Sequence, residues 1–284
     1  MSDTFVYLNG TIIPHDDARI SVFDIGLLRG LGIYEAMGVW NGSIFKFQEH
    51  MDRFRRSAGG IGIDVPESNE RIKEIIFELL EKNYTKEKDG EFPRANIKFI
   101  LTGGQTVGSI DYDPSHPTFC IFTEDWHALP EKLYTHGASI ITYEHTRHFA
   151  EYKTTDYITA VQLQKTMRAA GAIEALYTKD GMVYECTTSN FFIVSGGILI
   201  TPLQNVLPGI TRLAVIEVAH KHGLTVEERS VSLIETYAAD EVFATSSFKD
   251  ILPIVRINEK IIGDGNVGPL TKELMSLFKD FAGL

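Results

Sequence analysis

The chain has 284 residues, of which 44% are hydrophobic and 23% charged, as in an ordinary globular protein. This length exceeds that of a typical single domain, so two domains are the natural expectation. Lysine and arginine number 27 against 38 aspartates and glutamates, and the formal net charge of −11 argues against binding to a nucleic-acid backbone. Solubility alone accounts for this charge.

Cysteine usage and the N-terminus indicate the expected compartment. Cys120 and Cys186 show neither a CxxC motif nor metal-ligand spacing, so we expect a reducing environment, no disulfide framework and no metal site. Residues 1–5 contain no basic or apolar stretch typical of a secretory signal. No apolar run approaches the length of a membrane span. The sequence therefore predicts a cytoplasmic protein without a membrane segment.

The first part of the chain predicts a small α+β domain over residues 1–124. Its elements are a hairpin of strands 5–9 and 11–14, a hairpin of strands 33–40 and 43–47, a helix over 47–58, a longer helix opening at Pro66, and strands 95–102 and 118–123. The pairs Asn9-Gly10 and Asn41-Gly42 mark the hairpin turns. Residues 125–130 are the predicted linker.

The second part predicts an α/β domain over residues 131–284, which would carry Lys153. In chain order it shows strand 138–143, an irregular stretch 145–153, helix 156–170, a hairpin of strands 173–178 and 182–185, strands 191–194 and 198–201, helix 210–222, strand 240–245 and helix 270–281. Thr155 or Asp156 is the expected N-cap of the helix that follows Lys153.

Two segments have the composition of phosphate-binding turns. Residues 207–212 run through Pro208-Gly209 into a helix, whose free amides and dipole favour an anion. Strand 240–245 ends in the hydroxyls of residues 245–247. An ordinary helix-capping turn and a polar strand end are the alternatives. Lys153 is either a solvated loop lysine or a nucleophile, since desolvation beside a helix start favours the neutral amine that imine chemistry needs.

Other catalytic motifs are absent from the sequence. The glycines at 30–32 and 59–62 do not lie between a strand and a helix in a GxGxxG pattern, which excludes a Rossmann turn. The histidine pairs His145/His148 and His220/His222 have no third metal ligand nearby, so surface positions explain them better.

Four segments in chain order, together with the separation of 185 − 153 = 32 residues between Lys153 and Glu185, carry a resemblance to a known family. The segments are His50-Met51-Asp52-Arg53 with Ser57-Ala58, Lys153-Thr154-Thr155-Asp156-Tyr157, Tyr184 to Phe192 with Glu185 and Asn190, and Pro208-Gly209-Ile210-Thr211-Arg212, and Gly32-Ile33-Tyr34-Glu35 precedes them. They resemble the motifs of class IV aminotransferases of pyridoxal 5′-phosphate (PLP) fold type IV. That family includes D-amino-acid transaminases, branched-chain aminotransferases and aminodeoxychorismate lyases.

The resemblance implies the fold, the cofactor and its binding residues. The fold would be a two-domain α+β arrangement like that of D-amino-acid aminotransferase, with PLP in the cleft between the domains. Lys153 would be the catalytic Schiff-base lysine, and Glu185 would face the pyridine nitrogen and stabilise the protonated ring. The implied remaining cofactor-binding residues are Arg53, Ile210, Thr211, Ser246 and Ser247 at the phosphate and Tyr157 at the phenolic oxygen.

Substrate recognition is less completely specified. Tyr34 matches the D-amino-acid transaminase pattern, but the loop 103–111 lacks the arginine and histidine usual in that group. The branched-chain pattern Y-x-R reads Asn96-Ile97-Lys98 here. Because a substrate carboxylate needs a cation, Arg29 and Lys98 are candidate anchors, with surface exposure as the alternative for each.

The resemblance implies a PLP-dependent transaminase that forms a homodimer. Its substrates would be an amino acid, with D-amino acids favoured, and a 2-oxo acid such as 2-oxoglutarate or pyruvate. An L-branched-chain aminotransferase and an aminodeoxychorismate lyase remain the alternatives.

Overall fold

The computed structural model describes residues 4–88 and 90–284. Residues 1–3, part of the stretch that argued against a secretory signal, lie outside this range. The described chain divides into two compact units. The first extends to His127 and includes Tyr152–Asp156, and the second comprises Ala128–Glu151 and Tyr157–Leu284. The division after His127 falls inside the segment 125–130 that we predicted as a linker.

The first unit is built on an antiparallel sheet with strand order β2-β1-β6-β5-β3-β4. Its strands are β1 (Phe5–Leu8), β2 (Thr11–Pro14), β3 (Gly32–Trp40), β4 (Ser43–Ile44), β5 (Ala95–Thr102) and β6 (Thr118–Asp125). Its helices are a 3-10 turn at His15–Asp17, α1 (Ile25–Arg29), α2 (Phe47–Gly60) and α3 (Asn69–Asn83). Both predicted hairpins are confirmed, and Asn9 and Asn41 adopt positive φ angles of 46° and 49°.

One face of this sheet forms the core of the first unit. Ile33, Met37, Ile97 and Phe99 are completely buried on it, where α2 packs on β3 and α3 packs on β1 and β6. Successive strand residues alternate between faces, so Tyr34 and Lys98 lie on the opposite face. The sheet thus has one apolar face for packing and one face that carries polar side chains.

The second unit contains a mixed sheet with strand order β12-β11-β10-β14-β15-β7-β8-β9-β13, and β16 pairs with β15. The strands are β7 (Ala138–Glu144), β8 (Glu174–Lys179), β9 (Met182–Cys186), β10 (Asn190–Ser195), β11 (Ile198–Thr201), β12 (Val226–Glu228), β13 (Val231–Ser232), β14 (Glu241–Ser246), β15 (Asp250–Ile257) and β16 (Lys260–Ile261). The helices are α4 (Lys132–Thr135), α5 (Ile158–Ala169), α6 (Ile210–Lys221), α7 (Leu233–Ala238) and α8 (Pro269–Ala282).

We predicted Lys153 within the C-terminal domain, whereas by contacts Tyr152–Asp156 groups with the first unit. This segment pairs with the start of β3. The Tyr34 amide donates to the Lys153 carbonyl at 2.9 Å, and the Thr155 amide donates to the Gly32 carbonyl at 3.0 Å. Ile33 and Thr154 form an isolated antiparallel bridge. Because 152–156 is extended, α5 begins later than predicted and its N-cap is Tyr157, not Thr155 or Asp156.

The segment around Arg29, which we predicted as a loop, forms the short helix α1. Asp24 caps it by accepting a hydrogen bond from the Gly26 amide, and Gly30 ends it in a left-handed conformation at φ 73°. Within the described residues, no helix is both long and apolar enough to cross a membrane. The same part of the chain contains no cluster of side chains able to hold a metal ion.

Candidate active site

Backbone hydrogen bonds fix the position of Lys153. Besides the two bonds to β3, its amide donates to Ser57 Oγ of α2 at 3.0 Å. Gly60 at the end of α2 lies against the ring of Tyr152, where a Cβ would come within 2.3 Å of the ring. Gly60 therefore allows the lysine segment to approach α2.

The Lys153 amine contacts the candidate substrate residue Tyr34. Lys153 Nζ lies 3.0 Å from the Tyr34 hydroxyl and 4.2 Å from the centre of its ring. Both side chains are partly buried. Tyr34 is thus within proton-transfer distance of the amine that the sequence pattern singles out.

Arg53 is buried in an ion pair on the core side of the same unit. Its Nε and Nη2 donate to the two oxygens of Glu35 at 3.0 and 2.5 Å, and His50 Nδ1 lies 3.0 Å from Glu35 Oε1. Burial would raise the pKa of Glu35, but Arg53 and His50 outweigh it and hold this pKa well below its ordinary value. Burial lowers the pKa of His50, against the raising effect of Glu35, so the ring is neutral at pH 7.

Glu185 is the central carboxylate of the second unit. It is 5% exposed and accepts hydrogen bonds from Arg147 Nη1 at 2.9 Å, from the Leu207 amide at 3.0 Å and from Asn190 Nδ2 at 3.4 Å. Three donors, one of them a cation, bond to the carboxylate and fix its orientation. A carboxylate held in this way is suited to pair with a protonated ring nitrogen.

Tyr157 lies near the same arginine. The guanidinium of Arg147 lies 5.9 Å from the centre of the Tyr157 ring. Tyr157 is partly buried at the N-cap of α5 and does not lie within the first turn of the helix. The structure thus groups Tyr157 and Glu185 around Arg147 within one unit.

The predicted anion-binding turn is a helix start without a side-chain cap. Gly209 is the N-cap of α6, no side chain bonds to the first amides, and Ile210 and Thr211 are each 4% exposed. Gly209 is required by packing, since a Cβ there would lie 1.9 Å from Asn190 Oδ1. Asn190 Nδ2 also donates to the Leu207 carbonyl at 2.8 Å, which holds the turn against β10.

Two hydroxyls beside this turn supply the test of whether a phosphate fits. Thr245 pairs with Asn190 across the strands β14 and β10, and α6 packs on β14. In the described structure, Thr245 Oγ1 and Ser246 Oγ are buried and have no hydrogen-bond partner. Buried hydroxyls without partners are costly, and a phosphate group supplies acceptors for hydroxyls and for helix-start amides. The residues present therefore fit the phosphate of PLP.

The two candidate carboxylate anchors have different surroundings. Lys98 lies opposite Ala36 on the sheet face that carries Tyr34, but its amine pairs with Glu124 at 2.7 Å. Arg29 is exposed at the end of α1, where its Nη1 donates to the Leu28 carbonyl at 2.8 Å. No carboxylate among residues 4–88 and 90–284 lies within ion-pair distance of Arg29. Arg29 is therefore the cation better able to accept a substrate carboxylate.

Sequence reasoning assigned no role to four residues that order the predicted ones, although three of them lie within the quoted motifs. They are Glu35, His50, Arg147 and Asn190. His50 and Arg53 are three residues apart on α2, a spacing that places both on one helix face. Asn190 belongs to the motif that was used to assign Glu185. Arg147, in an irregular stretch, has no sequence signal of its own.

Comparison with known proteins identifies the family. A family model described as "Amino-transferase class IV" matches residues 32–257. A putative branched-chain-amino-acid aminotransferase of Methanocaldococcus jannaschii is 35% identical over 97% of this chain and 95% of that protein. A D-alanine aminotransferase of Bacillus licheniformis is 30% identical over 97% of this chain and 96% of that protein.

A solved structure gives the same result for the fold. A branched-chain amino acid aminotransferase of T.th., solved with pyridoxamine 5′-phosphate, superposes with a TM-score of 0.89 at 26% identity, covering 100% of this chain and 95% of that one. The two-unit architecture is thus that of PLP fold type IV. Since the family model covers most of the sequence and the relatives span nearly all of it, the chain belongs to the class IV aminotransferases and is a PLP-dependent enzyme.

Proposed function

We propose that this aminotransferase moves an amino group from D-amino acids to a 2-oxo acid such as 2-oxoglutarate or pyruvate. The observation that carries the proposal is the contact between the Lys153 amine and the Tyr34 hydroxyl. On the sheet face that carries Tyr34, Lys98 already forms an ion pair with Glu124. Tyr34 belongs to the motif that resembles D-amino-acid transaminases, and a D-alanine aminotransferase is among the relatives.

In this proposal Lys153 binds the cofactor covalently and moves the proton at the donor's Cα. Bound PLP supplies an electron sink that makes this Cα–H acidic. The Tyr34 hydroxyl, 3.0 Å from the amine, holds Lys153 in place and supports its proton transfer. Both residues are anchored by β3, so their relative position is set by sheet hydrogen bonds rather than by a mobile loop.

The other residues hold the cofactor. Glu185, oriented by its bond to Arg147, would pair with the ring nitrogen. The amides of Ile210 and Thr211 and the hydroxyls of Ser246 and Ser247 bind the phosphate. Arg53 contributes its guanidinium to the phosphate, and Tyr157 donates to the phenolic oxygen. Arg53 remains tied to Glu35, which restricts its rotation and reduces the entropy that binding would cost.

Arg29 is the proposed anchor for the substrate α-carboxylate. It is exposed, has no acidic partner within the described residues, and lies on a helix pinned by buried Asp24. Asp24 accepts from Thr102 Oγ1 at 2.9 Å and from Thr118 Oγ1 at 2.6 Å. Lys98 is the second cation, and its bond to Glu124 has to weaken before it can bind a substrate.

The position of the carboxylate anchor decides which enantiomer reacts. The chemistry fixes the positions of the donor's amino nitrogen and Cα–H in the pocket. Exchanging a D-amino acid for its L-enantiomer therefore exchanges the positions of the carboxylate and the side chain. A cation at one of these two positions favours the enantiomer whose carboxylate lies there, and an apolar surface at the same position favours the other enantiomer.

The second candidate is an L-branched-chain aminotransferase, which the relative from M. jannaschii favours. In that case the donor would be L-leucine or a similar residue. Lys98 would then replace the arginine of the Y-x-R pattern as carboxylate anchor, and Arg29 would be dispensable.

The test is a panel of D- and L-amino acids assayed with 2-oxoglutarate and with pyruvate. We expect D-alanine or D-glutamate to be a better donor than L-leucine. A strong preference for L-leucine would replace the proposal by the branched-chain alternative.

Variants of the two cations test the anchor assignment. Arg29→Ala should weaken reaction with amino acids by about 30-fold or more, because the substrate carboxylate would lose its cation, and truncating one partner of a charge pair that becomes buried in the complex costs ~2–5 kcal/mol. Lys98→Ala should have the smaller effect. Reaction with a primary amine that lacks a carboxylate should be affected far less, and PLP affinity should not change. Arg56→Ala, which removes an exposed arginine of α2, is the matched control.

We also infer that two copies of the chain associate. Residues 20–28 and the loop at 107–110 expose large apolar side chains, which we term the apolar patch. They are Ile20, Val22, Phe23, Leu27, Val107 and Ile110, each more than half exposed. The Thr106 amide donates to the Phe23 carbonyl at 2.9 Å, which joins the two segments. Contiguous apolar surface of this kind marks an interface, and Arg29 lies next to it.

A further inference from the structure

A buried charge cluster in the second unit involves none of the residues assigned to the reaction. Glu174, at the start of β8, is 1% exposed. Its carboxylate accepts five hydrogen bonds, from Thr187 Oγ1, from Thr188 N at 3.0 Å and Oγ1 at 2.7 Å, from Ser189 Oγ at 2.7 Å, and from Lys249 Nζ at 2.6 Å. A core packed for stability alone does not need so many polar groups around one charge.

The hydroxyl donors all come from the turn between β9 and β10. This turn, Thr187–Ser189, begins two residues after Glu185, which lies in β9, and is followed by Asn190, the first residue of β10. Further backbone bonds hold it, from the Cys186 amide to the Ser189 carbonyl at 2.7 Å and from the Thr187 amide to the Ala175 carbonyl at 2.9 Å. Glu174 therefore fixes the turn that follows the end of β9, where Glu185 lies.

Lys249 brings a second turn to the same carboxylate. It lies between β14 and β15, three residues after Ser246, and its amide donates to the Ser246 carbonyl at 3.2 Å. Its amine also donates to Thr188 Oγ1 at 2.6 Å and to Ser189 Oγ at 3.2 Å. The hydroxyls that have no partner in the described structure are on Thr245 and Ser246, at the start of this turn.

The electrostatics show that the pair is held together tightly. Burial would raise the pKa of Glu174, but the Lys249 charge and the hydroxyl bonds outweigh it and lower this pKa. Removing one partner of such a pair leaves the other charge buried without a partner, which lowers stability. Replacing both partners often leaves the free energy of unfolding unchanged, so a buried ion pair of this kind is better explained by the geometry it specifies.

We propose that Glu174 and Lys249 are positioning residues for PLP, which together hold the turn after the Glu185 strand and the turn after the strand that carries the phosphate hydroxyls in one fixed arrangement. Neither residue contacts the cofactor in this scheme. The inference rests on the roles proposed above for Glu185 and Ser246. It adds that both ends of the cofactor are positioned through a single ion pair.

The experiment compares Lys249→Met, Glu174→Gln and the double variant in the full chain. PLP binding is measured by titrating the apoprotein, folding by thermal melting, and the order of the turn by hydrogen exchange of residues 186–190. We expect all three variants to bind PLP at least tenfold more weakly and to exchange faster at the Thr188 amide. The double variant should regain most of the melting temperature that the single variants lose, because no charge is stranded.

This recovery separates positioning from stability. If the pair were merely structural, the double variant would melt like the wild type and also bind PLP with the wild-type Kd, which would overturn the proposal. Lys249→Arg should keep most of the affinity. Thr188→Val removes one hydroxyl without moving a charge and should weaken PLP binding several-fold. Lys221→Met, which breaks an exposed pair with Glu217, is the control and should change nothing.

Failure of the underlying site assignment gives a different result. Glu185→Gln, measured alongside, should retain PLP but lose most turnover. If this variant keeps wild-type turnover, the ring-partner role is wrong. If instead Glu185→Gln behaves as expected and the double variant keeps wild-type affinity and exchange, the positioning role alone is wrong.

Discussion

At the residue scale, three buried glutamates have three distinct environments. Glu35 pairs with Arg53, Glu174 with Lys249, and Glu185 with Arg147. Each pairing satisfies a carboxylate that would otherwise be costly to bury. Glu35 and Glu185 lie within segments that carry the family resemblance, but only Glu185 received a role from it. Glu174 lies in no such segment and is recognisable only once the fold has brought Lys249 to it.

The first prediction concerns Lys153. Lys153→Ala should abolish turnover and the visible absorbance that bound PLP gives the purified protein. The reason is that the Lys153 amine, on a segment paired with β3, lies 3.0 Å from the Tyr34 hydroxyl at the predicted position of the Schiff-base lysine. Absorbance spectra and borohydride reduction followed by peptide mapping check this. Lys165→Ala, on the exposed side of α5, is the control. Borohydride-stable cofactor labelling in Lys153→Ala would refute the assignment.

The second prediction concerns Glu35 and acid. A carboxyl whose pKa is depressed by folding adds stability that is present above its unfolded pKa, ordinarily 4.5, and lost as pH falls below it. Glu35→Gln should therefore flatten the loss of unfolding free energy between neutral and acidic pH. It should also lower stability at pH 7 by ~3–5 kcal/mol, because Arg53 stays buried without its partner.

Urea unfolding at a series of pH values measures both effects. Glu81→Gln, at an exposed carboxyl of α3, should leave the profile close to that of the wild type. An acid slope in Glu35→Gln as steep as in the wild type would assign the acid sensitivity to other carboxyls.

At the element scale, the sequence predicts elements whose signal is local. Strand β5 begins and ends at the predicted residues, and both Asn-Gly turns are confirmed. Elements that depend on distant partners were missed. β15 carries Pro253 in its middle, which argues against an inner strand, yet it pairs with β14 and β7. Its register shift on the β7 side, between Ile254 and Arg256, lies close to this proline.

The third prediction concerns the start of α6. Gly209 has φ −68° and ψ 135°, which alanine adopts freely, so only the close approach of Asn190 Oδ1 opposes a Cβ. Gly209→Ala should push Asn190 from its bond to Leu207 and weaken PLP binding at least tenfold. Overpacking should also cost ~1–3 kcal/mol of stability. Gly59→Ala, where no atom lies within 4 Å of the new Cβ, should be neutral or stabilising.

PLP titration of the apoprotein and thermal melting check this prediction. Unchanged affinity in Gly209→Ala would mean that Asn190 can shift without disturbing the turn.

At the scale of the whole molecule, the sequence identified the family because its motifs occur in order along the chain. The roles of single residues were harder to assign. The partners of Glu185 come from residues 147, 190 and 207, and no local pattern predicts that these meet. Arg29 illustrates the same limit, since its helix is pinned by hydroxyls of β5 and β6 that are distant in sequence.

The fourth prediction is a homodimer formed through the apolar patch. Light scattering should give twice the chain mass of 31.8 kDa. Leu27→Asp places a charge in the patch and should shift the protein towards the single-chain mass, with loss of activity. Ile234→Asp, at a side chain that is 82% exposed outside the patch, should leave the mass unchanged. Full activity of the wild type at the mass of one chain would reject the dimer.

The placement of Lys153 also bears on how such a chain can evolve. Its five-residue segment belongs by contact to the first unit, although the chain on both sides belongs to the second. A gene segment ending at His127 would encode the sheet without the lysine, and a segment beginning at Ala128 would encode the lysine without β3. Recombination at this boundary would therefore combine Tyr34 from one parent chain with Lys153 from another. We expect such exchanges to be tolerated only where the two parents place these residues alike.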